Sequence, residues 1–115
     1  MTNSKMILEI KDGAGFITFN NPEKHNAVSL EMWESLGEMM DQLEKDNNVR
    51  VVVLKGAGGK SFVSGADISK FDKDRSTKEQ VLNYNEKTGK LYQRIESFPK
   101  PTIAMIDGYC IGGGL

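Results

Sequence analysis

The sequence predicts a mixed α/β fold in which parallel strands are joined by crossover helices. Three observations predict it. Strand-length apolar runs alternate with longer segments of helical periodicity. Two of those runs, Val49–Leu54 and Thr102–Ile106, are nearly continuous in apolar residues, the pattern of strands covered on both faces. Each is followed by a glycine-bearing turn, Phe62-Val63-Ser64-Gly65-Ala66-Asp67-Ile68 and Gly108-Tyr109-Cys110-Ile111-Gly112-Gly113-Gly114-Leu115.

The elements follow in order. Met6 to Ile10 and Gly15 to Phe19 flank Lys11-Asp12-Gly13-Ala14, whose Asp-Gly pair is turn chemistry, so the chain opens on a β-hairpin. From Ser29 onward, Leu30, Trp33, Leu36, Met40 and Leu43 recur at helical spacing, and Glu31 and Glu34 sit where acids complement the helix dipole. A helix over 29–45 results, with Ser29 placed to cap it. Val49–Leu54 is the next strand. Thr77 to Phe98 carries Val81, Tyr84, Thr88, Leu91, Tyr92 and Ile95 on one stripe, a second helix that Pro99 and Pro101 terminate. The polar segment Asp72–Lys78 reads as the most mobile stretch. Thr102–Ile106 is a second buried strand, leading into Asp107-Gly108 and the triple glycine.

The bulk properties exclude several classes. At 115 residues the chain has room for one core. Fifteen basic and sixteen acidic residues leave a net charge of −1 with no basic stripe, so nucleic acid is not an expected partner. Cys110 is the only cysteine, so no internal disulfide is possible. No segment reads as a signal peptide or bilayer span, and a cytoplasmic protein without a membrane partner is expected. There is no internal repeat or low-complexity tract.

Both turns can present backbone N–H groups at the end of a strand. Two such donors converging from separate turns are what an oxyanion hole requires, because fixed dipoles stabilise charge developing on a carbonyl oxygen without reorganising. In the first turn Gly65 opens a backbone path closed to other residues, and Ala66 is small enough for a ligand to approach its N–H. Asp67 is placed to cap a following short helix, and an ordinary strand-to-helix turn is the alternative reading. Ser64 lacks the flanking glycines of a nucleophile elbow. In the second turn Gly112, Gly113 and Gly114 form a row of unobstructed N–H groups; close helix-to-strand packing is the alternative there. The spacing of Gly108 and Gly112 does not fit a dinucleotide-binding turn. His25, in the polar loop Asn20-Asn21-Pro22-Glu23-Lys24-His25-Asn26-Ala27, has no Cys, Asp or second His at ligand spacing, so no metal site is expected. Lys24 and His25 either touch phosphates of a large ligand or belong to a solvated loop.

The loop 20–27, the strand Val51-Val52-Val53-Leu54-Lys55-Gly56, the turn Ser61–Ile68 and the run Lys100–Gly114 together resemble, in order and at family spacing, the crotonase or enoyl-CoA hydratase/isomerase superfamily. The resemblance implies a crotonase-like (ClpP/crotonase) spiral of ββα units, of which residues 1–115 are the N-terminal part of a single domain. It implies an acyl-CoA substrate, with coenzyme A entering as part of that substrate and no separate cofactor, and a homotrimer or dimer of trimers. The family's oxyanion hole falls on the backbone N–H groups of Ala66 and Gly113. Lys24, His25 and Ala27 in the loop, Ser64, Ala66, Asp67 and Ile68 in the first turn, and Gly112 and Gly113 in the second would hold CoA or substrate.

The mechanism so implied polarises the thioester carbonyl to stabilise an enolate-like state, while a carboxylate moves protons. Family hydratases place one glutamate directly after the residue matching Leu115 and another further along, both outside this chain. The expected activity is enoyl-CoA hydratase or isomerase, in fatty acid metabolism. The competing expectation is a CoA-binding module, or a subunit that needs a second polypeptide. A partially stable fragment, a third possibility, would expose apolar surface on its last strand.

Overall fold

A computed structural model describes residues 5–67 and 77–115. Strands β1 (Met6–Lys11) and β2 (Ala14–Phe19) form the opening antiparallel hairpin, with Asp12 and Gly13 at positive φ in its turn. β3 (Val51–Gly56) pairs in parallel with β2, and β5 (Thr102–Met105) pairs in parallel with β3, giving the order β1-β2-β3-β5. A second sheet consists of β4 (Ser61–Val63) and β6 (Tyr109–Cys110), also parallel.

Helix α1 (Leu30–Lys45) connects β2 to β3, and α2 (Lys78–Glu96) precedes β5. The Ser29 hydroxyl accepts from the Met32 N–H, and Thr77 with Gln80 forms a complete capping box, so both helices start where side chains satisfy otherwise orphaned N–H groups. Thr77 and Lys78 therefore belong to the start of α2, whereas 72–76 of the segment expected to be mobile lie outside the described residues. α1 buries Met32, Trp33, Leu36, Met39, Met40 and Leu43 against Met6, Ile17, Phe19, Val52 and Leu54 of the sheet. This is the core. α2 lies outside α1 and buries only Tyr84 and Thr88. Trp33 meets Tyr92 edge-on at 5.2 Å, and Lys87–Glu34 and Arg94–Asp41 ion pairs span the two helices at 3.0 Å each.

Lys100 fastens the start of β5 to the end of α1. Its ammonium donates to the carbonyls of Leu43 at 2.6 Å and Asp46 at 2.7 Å, adding a charged donor to acceptors at the helix C-terminus that each also receive one backbone N–H. Two expectations need correction. Thr102–Ile106 is not a buried strand: all four residues of β5 and Ile106 are exposed, because β5 is the edge of its sheet and no described element covers it. Glu34 is not engaged at the helix start but across to α2 through Lys87. Among the described residues, no helix is long and apolar enough to cross a membrane.

Candidate functional site

The two glycine-bearing turns, far apart in sequence, lie side by side. The pairing of β4 with β6 brings them together, through Tyr109 N–H donating to the Lys60 carbonyl at 3.1 Å and Ile111 N–H donating to the Val63 carbonyl at 3.0 Å. Where Gly65 and Gly112 meet, a side-chain carbon would find only ordinary contact distances, and it is the backbone conformation that favours glycine. A Cβ on Gly112 would lie 3.6 Å from the Gly65 Cα, and one on Gly65 3.8 Å from the Ile111 carbonyl oxygen. Gly65 at φ 128° and Gly112 at φ 56° occupy backbone regions that favour glycine. At Gly108 and Gly114 a Cβ would overlap the carbonyls of Lys60 and Val63 respectively, so the second turn seats against β4 only as glycine.

The first turn is held from its other flank by the 20–28 loop. Val28 N–H donates to the Gly65 carbonyl at 2.8 Å, and Asp67 N–H donates to the Val28 carbonyl at 3.0 Å, a parallel bridge centred on Val28 and Ala66. A trans peptide directs its C=O and N–H oppositely, so the Gly65 carbonyl that faces Val28 leaves the Ala66 N–H aimed away from it. Ala66 itself is exposed. In the second turn Gly112–Gly114 form a 3₁₀ turn closed by Gly114 N–H to Ile111 and Leu115 N–H to Gly112, both at 3.0 Å. Its own bonds begin at Gly114, so the N–H groups of Gly112 and Gly113 precede them.

The residues expected to hold a large ligand are distributed as follows. Lys24, exposed, ends the short 3₁₀ turn Pro22–Lys24; its ammonium lies 3.6 Å from the buried Asp67 carboxylate, and its carbonyl accepts from the Ser64 hydroxyl at 3.3 Å. Lys24, Ser64 and Asp67 thus form one group. The short helix that Asp67 was expected to cap lies outside the described residues; buried in the turn, Asp67 binds the loop by side chain and backbone alike. His25, at φ 53°, points its Nδ1 to the Ser61 hydroxyl at 3.4 Å and meets Tyr109 of β6 edge-on at 6.1 Å. Ala27 is buried beneath the loop. Ile68 lies outside the described residues.

An apolar cavity of about 250 Å³ is lined by Phe19, Trp33, Leu54, Phe62 and Tyr92, and Gly114 and Leu115 of the second turn form part of its wall. The polar loop thus lies against one side of the first turn, and the second turn borders apolar space. Sequence reasoning passed over Asn26, Ser61 and Tyr109, which join loop to strands. The one available signal was Asn26, since asparagine tolerates the left-handed backbone that tight loops need.

A family profile described as enoyl-CoA hydratase/isomerase matches residues 9–115. The chain belongs to that family, the crotonases. It is 35% identical over 114 residues to the short-chain-enoyl-CoA hydratase of Clostridium acetobutylicum, covering 99% of this chain and 43% of that protein. It is 37% identical over 115 residues to the mitochondrial 3-hydroxyisobutyryl-CoA hydrolase of Rattus norvegicus, covering 97% of this chain and 29% of that protein. The crystal structure of an enoyl-CoA hydratase/isomerase from Xanthobacter autotrophicus Py2 superposes with a TM-score of 0.91 at 34% identity, over 98% of this chain and 42% of that one. The fold is therefore crotonase-like, and the chain spans under half the length of these relatives.

Proposed function

We propose that the protein acts on an acyl-CoA thioester as an enoyl-CoA hydratase or isomerase, with the backbone N–H groups of Ala66 and Gly113 as its oxyanion hole. The observation that carries this reading is the junction of the two turns through β4 and β6, with the Ala66 N–H directed away from the strand-like contact to Val28. The thioester carbonyl oxygen sits between the turns. Two preset N–H dipoles there favour the enolate-like state over the ground state, which lowers the barrier to proton addition or removal at the neighbouring carbons. Lys24 and His25 hold the polar part of CoA, with Ser64, Asp67, Ile68 and Gly112 alongside, and Ala27 supports the loop from beneath. Residues 1–115 are read as the N-terminal part of one domain, and the proton-transferring carboxylate comes from polypeptide outside them. A cytoplasmic homotrimer or dimer of trimers is the assembly this reading implies.

The test is hydration of crotonyl-CoA by the protein that carries this chain, followed by loss of the conjugated enoyl-thioester absorbance. Hydration lowered by about 10²–10³-fold in a folded variant lacking the Gly113 N–H supports the reading. Failure to bind CoA or to turn over any enoyl-CoA sinks it.

A second reading is favoured by one observation: Ile103, Met105, Ile106, Tyr109, Ile111 and Leu115 are all exposed. On it, the 115-residue chain is a CoA-binding module or a subunit completed by a second polypeptide that covers these side chains. Micromolar CoA binding without turnover by the 115-residue chain supports this version, and hydration by that chain alone excludes it.

A further inference from the structure

Asn26 is fully buried, at 0% exposure, directly after the exposed run 22–25 of the polar loop. Its φ of 59° is left-handed, a conformation that asparagine accepts more readily than other residues with a side chain. Its side-chain amide and its N–H are directed to backbone groups. Its Oδ1 accepts from the Asn21 N–H at 2.9 Å, and its own N–H donates to the Asn21 carbonyl at 2.8 Å. Its Nδ2 donates to the carbonyl of Ala57 at 2.9 Å and to that of Ser61 at 2.8 Å. Asn21 completes the arrangement by donating its side-chain amide to the Ala27 carbonyl at 2.9 Å.

One amide therefore joins three pieces of backbone: the start of the 20–27 loop, the residue that follows β3 and the first residue of β4. Gly56 borders the same junction: a Cβ there would overlap the carbonyl oxygens of Ser61 and Phe62 and stand 2.7 Å from the Asn26 Nδ2. The consequence for the site follows from chain order. Lys24 and His25 immediately precede Asn26, and β4, whose first carbonyl Asn26 holds, runs from Ser61 directly into the Ser64–Asp67 turn.

We propose that Asn26 is a positioning residue for the acyl-CoA site, fixing the loop that carries Lys24 and His25 in register with the strand that carries the Ala66 donor. It touches no reacting atom. Its amide can do this because the two Nδ2 protons point at two carbonyls from different segments, a geometry that neither a carboxylate nor a hydroxyl reproduces. The inference rests on the acyl-CoA reading above.

Two variants test it in the protein that carries this chain. Asn26→Gly keeps the left-handed backbone without strain and removes the side chain. Asn26→Asp keeps the shape but replaces both donors with a charge facing two carbonyls. Among these 115 residues His25 is the only histidine, and its ring resonances, assigned by their loss in a His25→Gln variant, report where the loop sits against Ser61 and Tyr109. We expect both variants to melt cooperatively, to shift the His25 resonances, to bind CoA about tenfold more weakly, equivalent to about 1.4 kcal/mol, and to lose kcat on crotonyl-CoA as well.

Folded variants with CoA affinity and kcat within about twofold of wild type, well under that 1.4 kcal/mol, would overturn the proposal, whether or not the His25 signals move. Loss of cooperative folding in both variants would assign Asn26 to stability alone and overturn it too. Wild-type protein that binds no CoA would remove the acyl-CoA reading, and this inference with it, before any variant is compared.

Discussion

Val53 of β3 and Ile103 of β5 are directly opposite each other in a parallel register, yet Val53 is 8% exposed and Ile103 is 52% exposed. The two strands have similar apolar composition and share a ladder. What separates them is position: β3 has β2 on one side and β5 on the other, while β5 has a neighbour on one side only. Apolar side chains on an edge strand that nothing covers remain in water whatever their propensity. The region around β1, β2, α1 and β3 closes its own core, whereas the region from β5 to Leu115 carries the second turn of the candidate site while much of its apolar surface stays open.

The largest effect that would sharpen this division is on catalysis in the open region. Gly113→Pro removes an N–H from the second turn and is expected to lower enoyl-CoA turnover by about 10²–10³-fold, with melting and CoA binding little changed. A near-normal rate in folded protein would reassign the oxyanion donor. Next in size is the paired comparison itself. Val53→Ala deletes two buried methyl groups and should destabilise by about 2 kcal/mol, while Ile103→Ala in isolated chain should stay within about 0.5 kcal/mol. Equal losses in denaturant titrations of the 115-residue chain would show that β5 is covered in solution.

A smaller effect concerns how the open region is attached. Lys100→Met leaves the Leu43 and Asp46 carbonyls without their charged donor and should cost about 1.5 kcal/mol. Amide exchange should accelerate in β5 more than in β2 and β3; uniform acceleration would mean the two regions open as one unit.

The smallest effect is electrostatic. Burial, and then the neighbouring Tyr84, raise the Tyr92 pKa above its ordinary value of 10.0. The folded state therefore favours the neutral phenol, and the stability this gives is complete below pH 10.0 and is lost as pH rises through the raised value. Tyr92→Phe should flatten that part of the stability profile slightly, because the ring is about half exposed; an unchanged alkaline slope would exclude Tyr92 as its source.

The helices and the main sheet were legible because their signals are local and repeated. Leu36, Met40 and Leu43 mark the buried face of α1 at helical spacing, and Ser29 marks its start by the same capping chemistry the structure shows, whereas the capping box at Thr77 is seen only in the structure. β4 and β6 were not legible as strands. Three and two residues carry no periodicity, and only their pairing with each other defines them. Lys24, Ser64 and Asp67 stood out by motif, but that Lys24 and Asp67 form an ion pair depends on the Val28–Ala66 bridge, a contact between segments remote in sequence. Asn26 looked like one more polar loop residue.

By itself the sequence determined the order of the hairpin, the two helices and the strands β3 and β5, the buried stripe of α1 and the crotonase family, since periodicity, capping residues and motif spacing are written along the chain. Tertiary structure alone decided that the two glycine turns touch, that Asn26 joins loop to strand, and that an apolar β5 lies exposed. Those outcomes depend on which distant backbone groups meet and which faces acquire a neighbour, and no local pattern encodes either.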